Sequence, residues 1–583
     1  MPEVTPSPAE QAAEETRQHV YACIGKGRSF RLEAGAGAGK TYSLIEALRY
    51  LIKHNGTELL RQHQQVACIS YTNVASNEIA SRIEHRSAIH SSTIHAFCWS
   101  LIKDFQPIMR NELPNIDIWW SEKLEESGGI GTRRIGYNEF GRRTVEETQV
   151  SLNHNDVLVL TTKLMERGKF RTLLASRYPV LLIDEYQDTD KLITQALKAH
   201  FLDTGEGPLI GLFGDHWQKI YGSGCGKIEH PALEFIGKGS NFRSVPVIVE
   251  ALNRMRPDLP QHVKEPSAEG FVAVYHTNDW VGVRRTGQHW DGDLPDHIAH
   301  EYLEAVKNRL ASTSCDFASD KTKILMLTHK VLATEQGYGK LADVFPFNEA
   351  YIKKEDTHIA FFVDTLEPVC SAYEAKRFGE MFAALGRRTP PIQSHKDKLS
   401  WAEELDALLK LRAGGTIGGV LDYLKHAKHI RLPDAVERKE RELEQVGNNP
   451  TAEESPSIER LRKLRNVSYK EVVALDRFID GFTPFSTKHG VKGAEFENVL
   501  VVVGRGWNQY NFNQFLEWAG APDAIPPGKE EAFERNRNLF YVACSRPKKR
   551  LAILFTQKLS DKAKTTLAKW FGSKAIHSVH ISN

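Results

Sequence analysis

The stretch from Arg31 to Ile45, RLEAGAGAGKTYSLI, constrains this chain more than any other. A short run, Ser29 to Leu32, enters a loop of small residues: Ala34, Gly35, Ala36, Gly37, Ala38 and Gly39. Lys40 and Thr41 follow, and then a helix-compatible run from Tyr42 to Tyr50. The order is strand, small-residue loop, helix. Glycine permits the dihedrals that turn successive backbone N–H groups inward, and the helix N-terminus adds partial positive charge. In such a loop Lys40 reaches the β- and γ-phosphates of a nucleotide, and the Thr41 hydroxyl holds magnesium. The strict pattern opens on glycine; here that position is Ala34.

Size and charge set the outer limits. The 583 residues are 41% hydrophobic, enough for several cores. The 76 basic and 74 acidic residues leave a net charge of +2. That balance neither demands nor excludes nucleic acid, since a binding channel can be basic while the outside is acidic. The seven cysteines are scattered and form no CxxC pair, which argues for free thiols in a reducing compartment. The N-terminal MPEVTPSPAE is polar, and no run of about 18 apolar residues occurs. The reading is a cytoplasmic protein with no membrane partner.

Ala9 to Ile24 has helical spacing and carries Gln11 and Gln18 upstream of the loop. Either glutamine can read adenine, and the sequence does not choose between them. Val66 to Tyr71, VACISY, reads as a buried parallel strand, with Thr72 and Asn73 starting a helix over Val74 to Ile83. STIHAF follows at 92–97. Polar and aromatic residues at the ends of parallel strands sit where such sheets take ligands. Leu101 to Tyr178 carries no nucleotide motif. Its Trp119, Trp120 and the cluster Arg133, Arg134, Arg142 and Arg143 read either as a nucleic-acid-facing insert or as a solvated face.

Val180 to Thr189, VLLIDEYQDT, is a hydrophobic strand ending in two carboxylates. Asp184 suits magnesium, through water. Glu185 suits orienting and deprotonating an attacking water, because a phosphoanhydride leaving group needs mainly positioning and charge neutralisation. Pro208 to Tyr221, PLIGLFGDHWQKIY, is a third strand, with Asp215 and Gln218 set to sense a γ-phosphate. NFRS (241–244) opens a helical run and offers Arg243 as a second cation. A second α/β unit follows, with strands over Gly270 to Tyr275 and Lys323 to Thr328 and a helix over Pro295 to Leu310. Ala342 to about Asp480 is mostly helical. The chain returns to strand over Pro484 to Val503, and Glu534 to Leu554 runs from helix into strand.

Eight segments in this order resemble the UvrD/Rep family of superfamily-one DNA helicases. They are AGAGAGKT (34–41), SYTNVASNEI (70–79), STIHAF (92–97), LIDEYQDT (182–189), FGDHWQKIY (213–221), NFRS (241–244), TKHGVKGAEF (487–496) and RNLFYVACSR (537–546). The resemblance implies an α/β fold: two RecA-like parallel-sheet motor domains with mainly helical inserted subdomains. The first motor is expected at 1–98 and 179–240, split by an insert at 99–178. The second is expected at 241–341 and 483–583, split by an insert at 342–482. ATP and Mg2+ would lie between the sheets. Lys40, Thr41, Asp184, Glu185 and Gln218 would come from the first motor, and Arg243, Glu495 and Arg546 from the second. Arg243 and Arg546 would act as arginine fingers. Arg537 and Tyr541 match the helical part of the last motif.

The same resemblance implies single-stranded DNA, or tailed duplex DNA, as partner. Tyr71, Thr72, Asn73, His95 and Phe97 fall on the family's DNA-contact segments, as do Thr487 and His489 on the other half. Tyr221 is a further stacking candidate, since aromatic faces bind bases of any sequence. The family's stacking tryptophan, two positions after that tyrosine, is Ser223 here, and Ser545 stands for the usual threonine. Trp217, a rival ring, is expected to pack in the core. The implied function is an ATP-driven DNA translocase and helicase of 3′→5′ polarity. The alternative is a DNA-activated ATPase subunit that senses DNA and regulates a partner nuclease, as in Gabija-type anti-phage systems.

Overall fold

The structure is a computed structural model. It describes residues 6–83, 87–137, 143–219, 224–287, 290–312, 321–327, 333–346, 349–352, 354–386, 392, 394–447, 455–479, 485–486, 495–505 and 510–581. Contacts divide the chain into two units, Met1–Val272 with Pro522–Arg550, and Ala273–Ala521 with Leu551–Asn583.

The first unit is built on a six-stranded sheet. Its strands are β1 (Phe30–Ala34), β2 (Val66–Ser70) and β3 (Ile89–Thr93), and, after an insert carrying β4 (Arg134–Tyr137), β5 (Thr144–Val145) and β6 (Gln149–Leu152), β7 (Val180–Asp184), β8 (Leu209–Gly214) and β9 (Glu234–Lys238). The order is β3-β2-β7-β8-β1-β9, and every neighbouring pair is parallel. All carboxyl ends therefore emerge along one edge, where ligands bind in open parallel sheets. Successive side chains point to opposite faces of a strand, and the cores follow that rule. Val66, Cys68 and Leu182 join Phe30, Leu44 and Leu48 on one face. Ala67, Ile69, Leu181 and Ile183 join Trp120 and Leu160 on the other. Both faces are covered, which is why these strands read as continuous apolar runs.

Helices α1 (Pro8–Gly25), α2 (Lys40–Arg61), α3 (Asn73–Arg82) and α4 (Ile94–Ile102) start where local chemistry allows. Ser7 and Glu10 form a capping box on α1, and the Thr72 and Thr93 side chains cap α3 and α4. The insert, expected to be helical, also holds the three-stranded sheet β4-β6-β5. Strands of two to four residues are too short to show a period. Past the main sheet come β10 (Ser240–Asn241), α5 (Pro246–Met255) and β11 (His262–Val263), and from the chain's return α6 (Glu530–Cys544). The sequence reading ended the first motor at 240. Contacts keep 241–272 and 522–550 with the first sheet, through bonds of Asn241 and Gln261 to the loop after β1 and of Ser244 to Pro547.

The second unit carries its own six-stranded sheet from β12 (Phe271–His276), β13 (Thr322–Met326), β14 (Phe485–Ser486), β15 (Phe496–Val503), β16 (Pro547–Phe555) and β17 (Ile576–Ser578). Its order is β14-β13-β15-β16-β12-β17. Between β13 and β14 the described elements are helical, from Gly339–Val344 to Lys470–Ile479. The fold is thus α/β, with two RecA-like sheets. No helix among the described residues is long and apolar enough to cross a membrane.

Candidate nucleotide site

The loop leaves β1 at Ala34 and enters α2 at Lys40. Gly37 and Gly39 have φ of 78° and 74°, a region that favours glycine. A Cβ on Gly37 would also meet the Arg243 Cβ at 2.8 Å and the Asn241 Oδ1 at 2.9 Å. One segment ties down four loop carbonyls. Asn241 Nδ2 donates to Ala36 at 3.1 Å, Phe242 N to Gly37 at 2.9 Å, Ser240 Oγ to Ala38 at 3.2 Å, and Lys238 Nζ to Gly39 at 3.1 Å. Gln261 Nε2 adds a bond to Ala36 at 3.2 Å. Of the loop's own N–H groups, Ala38 donates to the Gly35 carbonyl at 3.1 Å and Ala36 to the Tyr541 hydroxyl, whereas the first N–H groups of α2 have no acceptor within the helix. This backbone suits a polyphosphate.

Asn241 uses its whole amide here. Its Oδ1 accepts from the Arg243 and Ser244 N–H groups, and its Nδ2 also donates to Gln261 Oε1. Lys238, 1% exposed, gives a second bond to Ser43 Oγ at 2.7 Å. Burial pushes its pKa down to about 8.

The paired carboxylates stand at the end of β7. Glu185 is held in the left-handed region, φ 49° and ψ 44°, a strained conformation for a residue with a Cβ. Lys40 Nζ donates to its Oε2 at 2.7 Å, and Gln187 Nε2 to the same oxygen at 2.5 Å. Burial opposes the charge on Lys40, but Glu185, Asp184 and Asp215 outweigh it and hold the ammonium above the usual lysine range. Asp184 is buried, and its Oδ1 accepts the Glu185 N–H at 3.0 Å. The Thr41 hydroxyl and the Asp184 carboxylate are hard oxygen donors of the kind magnesium takes.

Asp215, expected to sense phosphate, is bonded to three protein donors. It is fully buried, and its oxygens accept from Arg256 Nη1 at 2.6 Å, Gln218 Nε2 at 2.8 Å and the Trp217 N–H at 3.0 Å. Gln218 Oε1 accepts from Arg546 Nη2 at 3.2 Å. Arg243 Nη1 donates to the Ser545 carbonyl at 3.0 Å. Burial pushes Arg546 well below the usual arginine range, and the neighbouring Arg243 charge adds to the effect. Both guanidinium groups reach Ser545, Arg243 at its carbonyl and Arg546 at its Oγ. The resemblance assigns both arginines to the second motor; by contacts they lie in the first unit.

Beside the loop opens a cavity of 510 Å³, lined by the exposed rings of Tyr42 and Phe242, by Lys238 and by α1. Two such rings suit a nucleobase. Gln11 and Gln18 turn elsewhere, to the Pro6 carbonyl at 3.1 Å and to Glu14 at 2.7 Å.

Tyr71, Thr72 and Asn73 are exposed at the end of β2. His95 is half-buried, its ring 4.9 Å from that of His154. Phe97 is 3% exposed and packs edge-on to Tyr178. Trp120 and Arg143 likewise serve the insert's interior, since Trp120 is fully buried and Arg143 binds Asp156 and Asp117. Trp217 is packed between the guanidinium groups of Arg537, 4.4 Å from the ring centre, and Arg256, at 5.1 Å. Glu495 is exposed at the start of β15 in the second unit. Tyr221, Ser223, Thr487, His489 and Arg142 lie outside the described residues.

Among the described residues, Glu33, Asp215 and His216 bring ligand atoms within 4.8 Å of one another. Arg256 already supplies the cation, 2.6 Å from Asp215 and 3.6 Å from Glu33, so the group is an ion network and not a metal centre. Sequence reasoning missed Gln187, Lys238, Arg256 and Gln261. Gln187 lies inside a recognised motif and could have been found there; the other three carry no local signal.

A parallel sheet with this loop is that of a RecA-like nucleotide hydrolase. Residues 19–224 match the AAA domain family, and residues 437–558 match the UvrD-like helicase C-terminal domain. The Gabija protein GajB of Bacillus cereus (strain HuB5-5) is 24% identical over 93% of this chain and 95% of its own length. The ATP-dependent DNA helicase Rep of Salmonella typhimurium is 24% identical over 47% of this chain and 48% of its own. Rep of Escherichia coli K12 matches to the same extent. The chain is thus similar to the UvrD-like DNA helicases over both matched regions, and it is an ATP-hydrolysing enzyme.

Proposed function

We propose that this enzyme is a translocase and helicase that moves 3′→5′ on single-stranded DNA. The observation that carries the ATP-driven part is the meeting of Lys40, Glu185, Gln218 and Arg546 around one phosphate loop. Lys40 and the loop N–H groups hold the β- and γ-phosphates. Glu185 orients the attacking water and takes its proton. Arg243 and Arg546 stabilise the charge that develops on the transferred phosphoryl group. Thr41 and Asp184 hold Mg2+, which when bound neutralises charge on the phosphate oxygens. Tyr71, Thr72, Asn73 and His95 contact the strand, with Tyr221, Thr487 and His489 assigned to the same track by family resemblance alone and Glu495 to the nucleotide. The setting is cytoplasmic.

A second reading is a DNA-activated ATPase subunit that regulates a partner nuclease in anti-phage defence. Similarity to a Gabija protein over nearly the whole of both chains favours it. The deciding experiment is ATP turnover with and without single-stranded DNA, followed by strand displacement on 3′-tailed and 5′-tailed duplexes. Efficient unwinding of 3′-tailed duplex by the chain alone supports the first reading. DNA-stimulated turnover without unwinding supports the second, and no stimulation by DNA overturns both.

A further inference from the structure

Arg256 follows α5 and is 2% exposed. Its guanidinium lies beside two aromatic rings, 5.1 Å from the Trp217 centroid and 5.9 Å from that of Tyr541, which suits its planar, weakly hydrated cation. Nη1 donates to Asp215 Oδ1 at 2.6 Å. The other oxygen of Asp215 accepts Gln218 Nε2 at 2.8 Å, and Gln218 Oε1 accepts Arg546 Nη2 at 3.2 Å. Four side chains thus form one unbroken line.

The chemistry of the line fixes its direction. A carboxylate accepts only, so Asp215 must face the NH2 end of the Gln218 amide. The opposite end of Gln218 can then only be its oxygen, which accepts from a donor such as a guanidinium. We infer that Arg256 is a positioning residue for ATP hydrolysis: it fixes Asp215, Asp215 sets the orientation of Gln218, and Gln218 aims Arg546. No motif of the sequence includes Arg256, which also lies 3.6 Å from Glu33 and bonds the Tyr541 hydroxyl. Removing it leaves Asp215 buried without its cation, so that Gln218 is free to reorganise and Arg546 loses one of three bonds, keeping those to the Val542 carbonyl at 3.0 Å and to Ser545 Oγ at 3.2 Å.

The inference rests on the reading of this site as an ATPase. Its test is a double-mutant cycle on the full chain, read as steady-state ATP turnover with saturating single-stranded DNA, with thermal melting of each variant. R256M is expected to lower kcat about tenfold or more while KM for ATP stays within about twofold. R256K, which keeps a cation for Asp215, recovers part of kcat. In an R546A background the R256M change is expected to cost less than about twofold, because the residue it acts through is already gone. A residue that merely supported the fold would subtract equally in both backgrounds. An equal loss in both backgrounds, or an unchanged kcat in R256M, overturns the inference. Should R256M melt below the assay temperature, R256K carries the same cycle with the same two outcomes. A wild-type chain without ATP turnover overturns the ATPase reading together with the role of Arg256. A wild-type chain that turns over ATP but ignores Arg256 substitutions overturns only the latter.

Discussion

Lys40 Nζ lies 2.7 Å from Glu185 Oε2, joining the phosphate loop after β1 to the strained carboxylate after β7. The two residues are partners, yet their proposed tasks differ. Lys40 binds phosphate and Glu185 handles water. Lys40→Ala is therefore expected to lose nucleotide binding, whereas Glu185→Gln keeps it. Both lose turnover, by about 100-fold or more. Binding of a fluorescent ATP analogue, with turnover on the same preparations, checks this. Equal loss of binding in both variants would sink the division of roles.

Arg546 is buried and bonds Gln218, Ser545 Oγ and the Val542 carbonyl. Arg546→Ala is expected to bind ATP within a few-fold of wild type and to lose about 1,000-fold in turnover, the lower range for an arginine finger. Normal DNA-stimulated turnover in this variant would remove Arg546 from the site.

Asn241 ties the loop to the segment that follows β9, with bonds to Ala36, Gln261, Arg243 and Ser244. Asn241→Ala removes them all, at about 1 kcal/mol for each net bond. ATP affinity should fall about tenfold or more, together with a lower Tm. Titration calorimetry and melting curves test the pair, and unchanged affinity would show that the loop holds its shape without this support.

Glu33 gives a pH prediction. Burial raises its pKa, but His216, Tyr186 and Arg256 outweigh burial and bring it from 4.5 down to about 2. A depressed carboxylate contributes stability that is present above its unfolded pKa and is lost as pH falls through the folded one. The contribution, on the order of 3 kcal/mol, should disappear between pH 4.5 and about 2. Glu33→Gln should flatten that acid limb in urea unfolding followed by far-ultraviolet circular dichroism. An acid limb identical to wild type would remove Glu33 as its source.

Tyr71 and Phe97 were read alike from the sequence, and the structure separates them. Tyr71 is 38% exposed and Phe97 3%. Tyr71→Ala should weaken single-stranded DNA binding by about 1–3 kcal/mol with Tm unchanged. Phe97→Ala should lose about 3–5 kcal/mol of stability. Fluorescence anisotropy with an oligonucleotide, read beside melting curves, distinguishes the two, and a normal Tm for Phe97→Ala would contradict its place in the core.

What could be read from the chain alone is what nearest neighbours dictate. Ala34–Thr41 could be recognised because small residues, lysine and threonine must be contiguous for backbone N–H groups to converge. Strands β2, β7 and β8 could be recognised because burial on both faces leaves no polar alternation. Asp184 and Glu185 followed from their place at a strand end. Strands β4 to β6 could not be read, because segments so short and polar show no period.

Partnership and burial were decided by the tertiary structure alone. Arg256 meets Asp215 across 41 residues, and Arg546 meets Gln218 across 328. Nothing local to either arginine says which carboxylate or amide it will find. Phe97 has the same neighbours in sequence whether its ring is buried or open; packing against Tyr178 closes it. Lys238 carries no local signal, and only the parallel pairing of β9 with β1 sets it beside Ala34. Loop, strands and paired carboxylates follow from local conformational limits, whereas the meeting of Gln218 with Arg546 and of Asp215 with Arg256 depends on hydrogen bonds that exist only once distant segments have packed.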